Sequence, residues 1–274
     1  MKKKLALMLT LALTVGTVLT GCGNASGDAA QTTADNAQTA DGSDVAYIQD
    51  KGTLIVGITD FAPMDYKNES GEWIGFDADM ARIVAKKLGV EAQFVEIDWD
   101  NKIMELDSKN IDVVWNGMTL TSETTSSMEC TRPYCNNAQV IVIPDTADAA
   151  GAEFVYAVEA GSAGEAAAKD KGFQVNVVAS QADALMEVAS GTSDAAIIDL
   201  LMAGAMIGEG TSYPNMKYTD ELTTEEYGVG CRKGSDLAAY INSVFAESYA
   251  DGSMKDTATT YGVQEALVEQ TNAE

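Results

Sequence analysis

The sequence predicts an α/β protein built from two similar lobes with mostly parallel sheets. Two observations carry this prediction: segments of strand and helix character alternate along the chain, and the pattern occurs twice at an offset of 82 residues. The order βαβαβ in each half is typical of a parallel sheet, because parallel neighbours need a crossover connection. At that offset 104–117 aligns with 186–199 and shares Met, Glu, Ser and Asp in register.

The first set begins with a predicted strand over 53–58. The helix that follows, 76–89, has an apolar stripe at helical spacing, acids early, lysines late and a final Gly, which indicates an amphipathic helix that ends there. A strand over 92–97, a short helix over 101–109 and a strand over 111–115 complete the set.

The second set repeats this order, with strands over 153–158, 175–178 and 194–198 and helices over 162–171 and 181–190. Because parallel strands share an edge at their carboxyl ends, the residues after corresponding strands are expected to face one cleft. These are Asn116 and Gly117 in the first set, and Ile198 and Asp199 in the second. An Asp after the apolar run 195–198 is costly unless something pairs with it, and a ligand ammonium would do so. The alternative is a solvated strand-end Asp or a helix cap.

The segment 116–127, NGMTLTSETTSS, places seven hydroxyl side chains within 119–127 and contains no Lys or Arg. Such a segment just beyond a strand can cap a helix, form a solvated loop or bind a polar ligand. The residues alone leave these three interpretations open.

Composition excludes several functions. The chain has no His, which excludes Ser-His-Asp catalysis and His-ligated metals. Cys130, Cys135 and Cys231 lack the CxxC spacing of zinc or redox sites. A net charge of −25 disfavours nucleic acid and anionic lipid as partners.

The N-terminus indicates export. A basic MKKK precedes a sixteen-residue apolar run over 5–20, which is short for a membrane span. LTGC at 19–22 resembles a bacterial lipoprotein signal, with 1–21 as signal peptide and Cys22 as the lipidated residue; the alternative is an ordinary secretory signal with an incidental Cys. Residues 23–44 lack large apolar side chains, so 22–44 is expected to be a disordered tether before a folded part of 230 residues.

Seven segments together resemble the polar amino acid-binding proteins of ABC importers, which are bacterial extracellular solute-binding proteins of family 3. They are 54–66, 71–89, 110–123, 131–134, 158–165, 191–199 and 227–236. The resemblance implies the type II periplasmic-binding-protein-like fold, with two lobes joined by a two-strand hinge. Lobe one would comprise 45–134 plus 228–274, and lobe two 135–227.

The resemblance also implies a ligand site between the lobes. In lobe one Phe61 and Trp99 would be its aromatic walls, although Phe61 is equally plausible as a core residue. Asn116, Gly117 and Thr119 would meet the ammonium and carboxylate of an amino acid.

In lobe two, Asp199 falls at the ammonium-binding acid of the family, and Glu159 is a further wall residue. Ser162 and Ala163, at a helix start, would offer backbone N–H groups to a carboxylate.

The chain departs from the family at Thr124, where relatives typically carry an Arg that binds the ligand carboxylate. Either a nearby cation, Lys102 or Arg132, replaces it, or the ligand lacks a free α-carboxylate. Thr121 is expected to cap the helix that follows.

These features predict a monomeric, lipid-anchored receptor on the outer face of the cell membrane. It would deliver an amino acid or similar zwitterion to an ABC permease and its ATPase, with no cofactor, no metal and no catalysis. Two alternatives are an exported dehydratase-like enzyme using Glu159 or Asp199, and a sensor module. A Cys130–Cys231 bridge and three unpaired thiols are both compatible with the sequence.

Overall fold

A computed structural model of the chain describes residues 42–148, 150–151 and 153–271. The predicted signal peptide (1–21), Cys22 and all but the end of the tether lie outside the described residues. No helix in the described ranges has the length and apolar character that crossing a bilayer requires.

Among the described residues, helices form close to the four segments that periodicity predicts and at five further segments. In chain order they are α1 (Asp44–Lys51), α2 (Phe76–Leu88), α3 (Lys102–Asp107), α4 (Ser122–Ser127), α5 (Ala163–Asp170), α6 (Gln181–Ser190), α7 (Leu200–Met206), α8 (Leu237–Ala250) and α9 (Ser253–Thr260). Helix α2 buries its apolar face and ends at Gly89, whose left-handed conformation and N–H close the last turn.

Among the described residues, strands form at the six segments that periodicity predicts and at eight further segments, which include β8 and β12. In chain order they are β1 (Thr53–Ile58), β2 (Tyr66–Lys67), β3 (Trp73–Ile74), β4 (Glu91–Glu96), β5 (Val113–Val114), β6 (Glu129–Cys130), β7 (Cys135–Asn137), β8 (Gln139–Pro144), β9 (Val155–Glu159), β10 (Gln174–Val178), β11 (Ala195–Asp199), β12 (Met216–Glu221), β13 (Glu225–Tyr227) and β14 (Gly230–Cys231).

Two five-stranded sheets organise the molecule. The sheet of lobe one has the order β4-β1-β5-β14-β6, and the sheet of lobe two has the order β10-β9-β11-β8-β12. In each, the first strand of the set pairs in parallel with the next two, and a fourth strand joins antiparallel. The matching orders confirm the prediction of two similar lobes with mostly parallel sheets.

The chain crosses between the sheets along β7 and β13, which pair antiparallel with Cys135 opposite Tyr227. The fold therefore has the predicted pair of crossing strands. Strand β8 follows the first crossing directly, and its continuous apolar burial explains why alternation did not reveal it.

Three unpaired thiols occur among the described residues, at Cys130, Cys135 and Cys231. Cys130 lies opposite Gly230 and Cys231 opposite Glu129 in the β6–β14 ladder. Successive residues of a strand point to opposite faces of the sheet, so the two sulfurs are directed apart.

Candidate ligand-binding cleft

A cleft lies between the carboxyl ends of the two parallel strand sets. Lobe one lines it with one aromatic ring, one cation and the segment after β5: Trp99, Lys102, Asn116, Gly117, Met118, Thr119 and Thr121. Lobe two lines it with two acids, an amide and the start of α5: Glu159, Gly161, Ser162, Ala163, Gln181 and Asp199. The cleft thus joins the two strand ends that the internal repeat places in register.

The lobe-one wall begins where β5 ends. Asn116 is buried, and its Nδ2 donates to Thr59 Oγ1 at 2.8 Å. Its Oδ1 has no partner among the described residues. Asn116 therefore presents a buried acceptor at this wall.

Gly117 holds the backbone of this wall against the aromatic residues behind it. Its φ is +57°, and a Cβ at this position would collide with the Phe61 ring. The Gly117 N–H donates to Asp77 Oδ2 at 2.7 Å, and the Tyr134 hydroxyl donates to the same oxygen. Burial raises the pKa of Asp77 to about 7, while these hydrogen bonds lower it. A larger residue at 117 would displace the segment that forms the wall.

Asp199 ends β11 at the opposite wall and is 4% exposed. Asn137, Gln139 and Tyr227 donate to its Oδ1, and Gln181 donates to its Oδ2. Burial and, to a smaller extent, the charge of Glu225 raise the pKa of this carboxyl to about 7, although the donors act to lower it. The protein itself therefore supplies the partners that an Asp after an apolar strand requires, and the side chain is neither a solvated Asp nor a helix cap: α7 has no side-chain cap bond.

Glu159 ends β9 beside Asp199 and is 3% exposed. Its Oε1 has no partner within the described part of the chain. Burial raises the pKa of Glu159 to about 8, and the charge of Asp199 contributes in the same direction. The cleft thus contains a buried carboxyl group with one oxygen unpartnered among the described residues, and a cation would stabilise this group as an anion.

Trp99 and Lys102 form the remaining part of the lobe-one wall. The Lys102 Nζ lies 5.1 Å from the Trp99 ring centroid and donates to the Trp99 carbonyl at 3.1 Å. It also donates to the carbonyl of Gly161 in lobe two at 2.9 Å. This hydrogen bond connects the two walls directly.

The start of α5 forms the edge of the lobe-two wall. The Ser162 Oγ caps the helix by accepting from Glu165 N at 3.0 Å, and Ala163 is the first helical residue. First-turn N–H groups have no intrahelical acceptor, so they can meet a ligand anion. Ser162 and Ala163 line the cleft as the sequence predicts.

Three residues considered from the sequence do not line this cleft. Phe61 is buried behind Gly117, with its ring 6.3 Å from that of Tyr227. Thr124 belongs to α4, where its hydroxyl and that of Thr121 form a reciprocal capping box. Arg132 bonds instead to Asn242 and to the Thr271 carbonyl.

The prediction that Thr121 caps the following helix is confirmed. Sequence reasoning missed Gln181 and Gly161 as lining residues. Gln181 follows the N-cap Ser180 and is buried, and its Oε1 accepts from the Asp199 N–H at 2.8 Å. A glutamine at the first position of an amphipathic helix carries no sequence signal for this role, because its partner is 18 residues away.

The sequence profile of the bacterial extracellular solute-binding proteins, family 3, matches residues 54–264. The chain belongs to this family. As a family member it is a solute-binding protein of the type II two-lobed fold.

Proteins similar to this chain are named for different solutes. The L-cystine-binding protein TcyJ of Escherichia coli K12 is 27% identical over 219 residues, covering 76% of this chain and 82% of TcyJ. The arginine-bound form of truncated ArgBP from T. maritima is 32% identical with a TM-score of 0.69, covering 74% of this chain and 99% of that one. The ancestral amino acid-binding protein AncCDT-1, a precursor of cyclohexadienyl dehydratase, is 30% identical with a TM-score of 0.71, covering 79% and 98%.

Proposed function

We propose that the protein captures an amino acid or a similar small zwitterion between its lobes and delivers it to an ABC permease. One observation of the cleft carries this proposal. Glu159 Oε1 and Asn116 Oδ1 are buried acceptors without donors, one on each wall. Buried acceptors are normally hydrogen-bonded, so the solute is expected to bring N–H donors. An ammonium group has three of them and compensates the acidic charge of Glu159 and Asp199.

The names of the relatives support the same solute class. Two of the relatives are named for the binding of cystine and of arginine. These two solutes share the α-ammonium and α-carboxylate groups and differ in the side chain. For this chain we propose a polar, zwitterionic or cationic amino acid. Trp99 would form the apolar wall, Gly117 and Thr119 would contact the solute beside Asn116, and Ser162 and Ala163 would contribute from α5.

The rest of the proposal concerns the cellular setting. Residues 1–21 would direct export, and lipidated Cys22 with the tether 22–44 would hold the protein at the outer face of the membrane. The lobes would divide at 134/135 and 227/228, and the protein would act as a monomer. Fractionating cells that express wild type and Cys22→Ala tests the anchor: only the wild type should remain with the membranes, and equal release of both would contradict it.

The test of the solute class is a thermal-shift screen followed by calorimetric titration. The panel holds the common amino acids, cystine, their amides, and amines without a carboxylate. A solute at 100 times its Kd should stabilise the folded state by about 2.7 kcal/mol. For a chain of this size this corresponds to an increase in Tm of roughly 5–10 °C. If no ammonium-bearing member of the panel raises the Tm, the proposal fails.

A second candidate function is favoured by Glu159 alone. A buried carboxyl group with a pKa of about 8 is protonated at neutral pH and could act as a general acid, as a dehydratase-like enzyme requires. One relative is described as a precursor of a dehydratase. Incubating the protein with each bound solute and searching for a product by mass spectrometry separates the two functions. A receptor returns the solute unchanged, whereas an enzyme forms product that is lost in Glu159→Gln.

A further inference from the structure

Lys102 is a buried cation whose charge the protein leaves without a counter-ion. Its side chain lies in the cleft and the residue is 7% exposed. It is the one Lys or Arg among the described residues that line the cleft. Within the described ranges it forms no ion pair, in contrast to the buried Arg232, which pairs with Asp44 at 2.9 Å. A buried charge without a partner is costly, so the site is incomplete as it stands.

The hydrogen bonds of Lys102 leave room for one more acceptor. An ammonium group has three N–H donors, and Lys102 uses two of them on the carbonyls of Trp99 and Gly161. Both acceptors are neutral, and they come from different lobes. They hold the Nζ beside the cleft without neutralising it.

The acids nearest to Lys102 are committed elsewhere or lie too far away to form an ion pair. Its surroundings include Glu123, Glu159, Asp100 and Glu165, and burial outweighs their combined effect, so that the pKa of Lys102 is lowered. Glu165 already pairs with Lys169 at 2.7 Å and accepts from the Gly161 N–H. A ligand anion would therefore meet a cation that no protein carboxylate contacts.

Lobe two offers no alternative cation among its lining residues. Its titratable side chains in the cleft are the acids Glu159 and Asp199, neither of which can pair with an anion as a cation does. The hydroxyl of Thr124, on the other lobe, is used in the α4 cap. The anionic end of a zwitterion is thus directed to the Lys102 side of the cleft, and its ammonium to the acids opposite.

We infer that Lys102 binds the carboxylate of the solute and makes a free carboxylate a requirement for tight binding. Because the same Nζ bonds to Gly161 across the cleft, the bound carboxylate also becomes part of the contact between the lobes. This assignment rests on the proposed amino acid-binding function and adds the residue that selects for the anionic end of the solute.

The test combines one protein change with one ligand change. Calorimetry measures the Kd of wild type and Lys102→Met for the best amino acid of the panel and for its amide. A hydrogen bond to a charged group is worth more than a neutral one, so Lys102→Met should weaken binding of the acid about ten- to hundredfold. Binding of the amide should change by less than about threefold, since it has no charge for Lys102 to meet. Lys102→Arg should retain more of the affinity for the acid than Lys102→Met does.

Two controls separate the possible outcomes. Lys86→Met, an exposed lysine near the end of α2, should leave both constants unchanged. Equal losses for acid and amide would mean that Lys102 only joins the lobes, and no loss for either would mean that it does not contact the solute; both results overturn the inference.

Failure of the proposed function has a different signature, because wild type would then bind neither the acid nor the amide. In that case a carboxylate without an ammonium, propionate, tests Lys102 by itself. Stabilisation of wild type but not of Lys102→Met by propionate would support the inference, and no difference between the two proteins would overturn it.

Discussion

The two strand ends that face each other across the cleft are built differently, although their sheets have the same order. The end of β11 carries a charged group, Asp199, whose oxygens accept hydrogen bonds from four side chains. The segment after β5 carries the neutral Asn116, with one oxygen unpartnered, and Gly117, whose N–H is held by a buried acid. Among the described residues that line the cleft, the acids therefore lie on lobe two, while lobe one supplies neutral acceptors and the one cation.

This difference teaches how a repeated architecture forms an asymmetric site. A zwitterion has two unlike ends, and two identical walls would suit only one of them. The repeat places the strand ends opposite each other, and substitutions after the strands then give each wall its own charge. Four predictions test how far the division between the lobes extends.

The largest effect is expected at Asp199. Asp199→Asn keeps the shape of the side chain but removes its charge, so the solute ammonium loses its anionic partner. Truncating one partner of a buried charge pair typically costs about 2–5 kcal/mol. Asn116→Ala removes a neutral acceptor and should cost about 0.5–1.5 kcal/mol. Calorimetric titration of both variants measures the two losses, and a loss at Asn116 as large as that at Asp199 would contradict the asymmetry.

The second prediction concerns pH. With its pKa raised to about 8, Glu159 must lose a proton to pair with a cation, so wild-type affinity should rise between pH 6 and pH 8. Glu159→Gln cannot titrate and should show a shallower rise, with the remainder due to Asp199. Titrations at pH 6, 7 and 8 measure both slopes. If affinity rises equally steeply with pH in the two proteins, Glu159 does not contact the solute.

The same shift predicts the stability of the unliganded protein. A carboxyl pKa raised on folding means that the folded state binds more protons, so the stabilisation is fully present below pH 4.5 and is lost as the pH rises through about 8. Glu159→Gln should therefore lose less stability than wild type between pH 5 and pH 9 in thermal unfolding.

The smallest effect is expected at Thr124, where the structure assigns a structural role. Thr124→Val removes one half of the capping box and should cost about 1 kcal/mol of stability, or a Tm decrease of roughly 2–4 °C. The Kd for the solute should stay within about twofold, since the side chain lies outside the cleft lining. Thr125→Val, one position along the same helix, provides the matched control. A large change in Kd at constant Tm would mean that Thr124 contacts the solute and has no role in the stability of the helix.

Much of this architecture could be predicted because its signals are local. Apolar runs such as 53–58 and 195–198 predict strands from their composition. The offset of 82 residues aligns the ends of corresponding strands. Asn116 and Asp199 could therefore be predicted to lie at the cleft, and both line it. The position of Phe61 could not be predicted from local signals. Its ring packs against Gly117, 56 residues later in the chain, at a place that is open only because Gly117 lacks a Cβ.

The hydrogen-bond partners of Asp199 could not be predicted from the sequence either. They come from the first crossing strand, the start of β8, the start of α6 and the second crossing strand, which tertiary folding alone brings together. The commitment of Thr124 to its cap depends on a hydrogen bond that competes with a ligand role, and the sequence is compatible with both.

The crossing strands take part in the site as well as joining the lobes. Asn137 of β7 and Tyr227 of β13 both donate to the Asp199 carboxylate. A change at Asp199 that alters selectivity therefore also disturbs the segments about which the lobes would move. The cation opposite it, Lys102, donates to Trp99 and Gly161, and to neither crossing strand within the described part of the chain. During divergence toward new solutes, substitutions should accumulate first on the Lys102 side, where selectivity can change without disturbing the crossing strands.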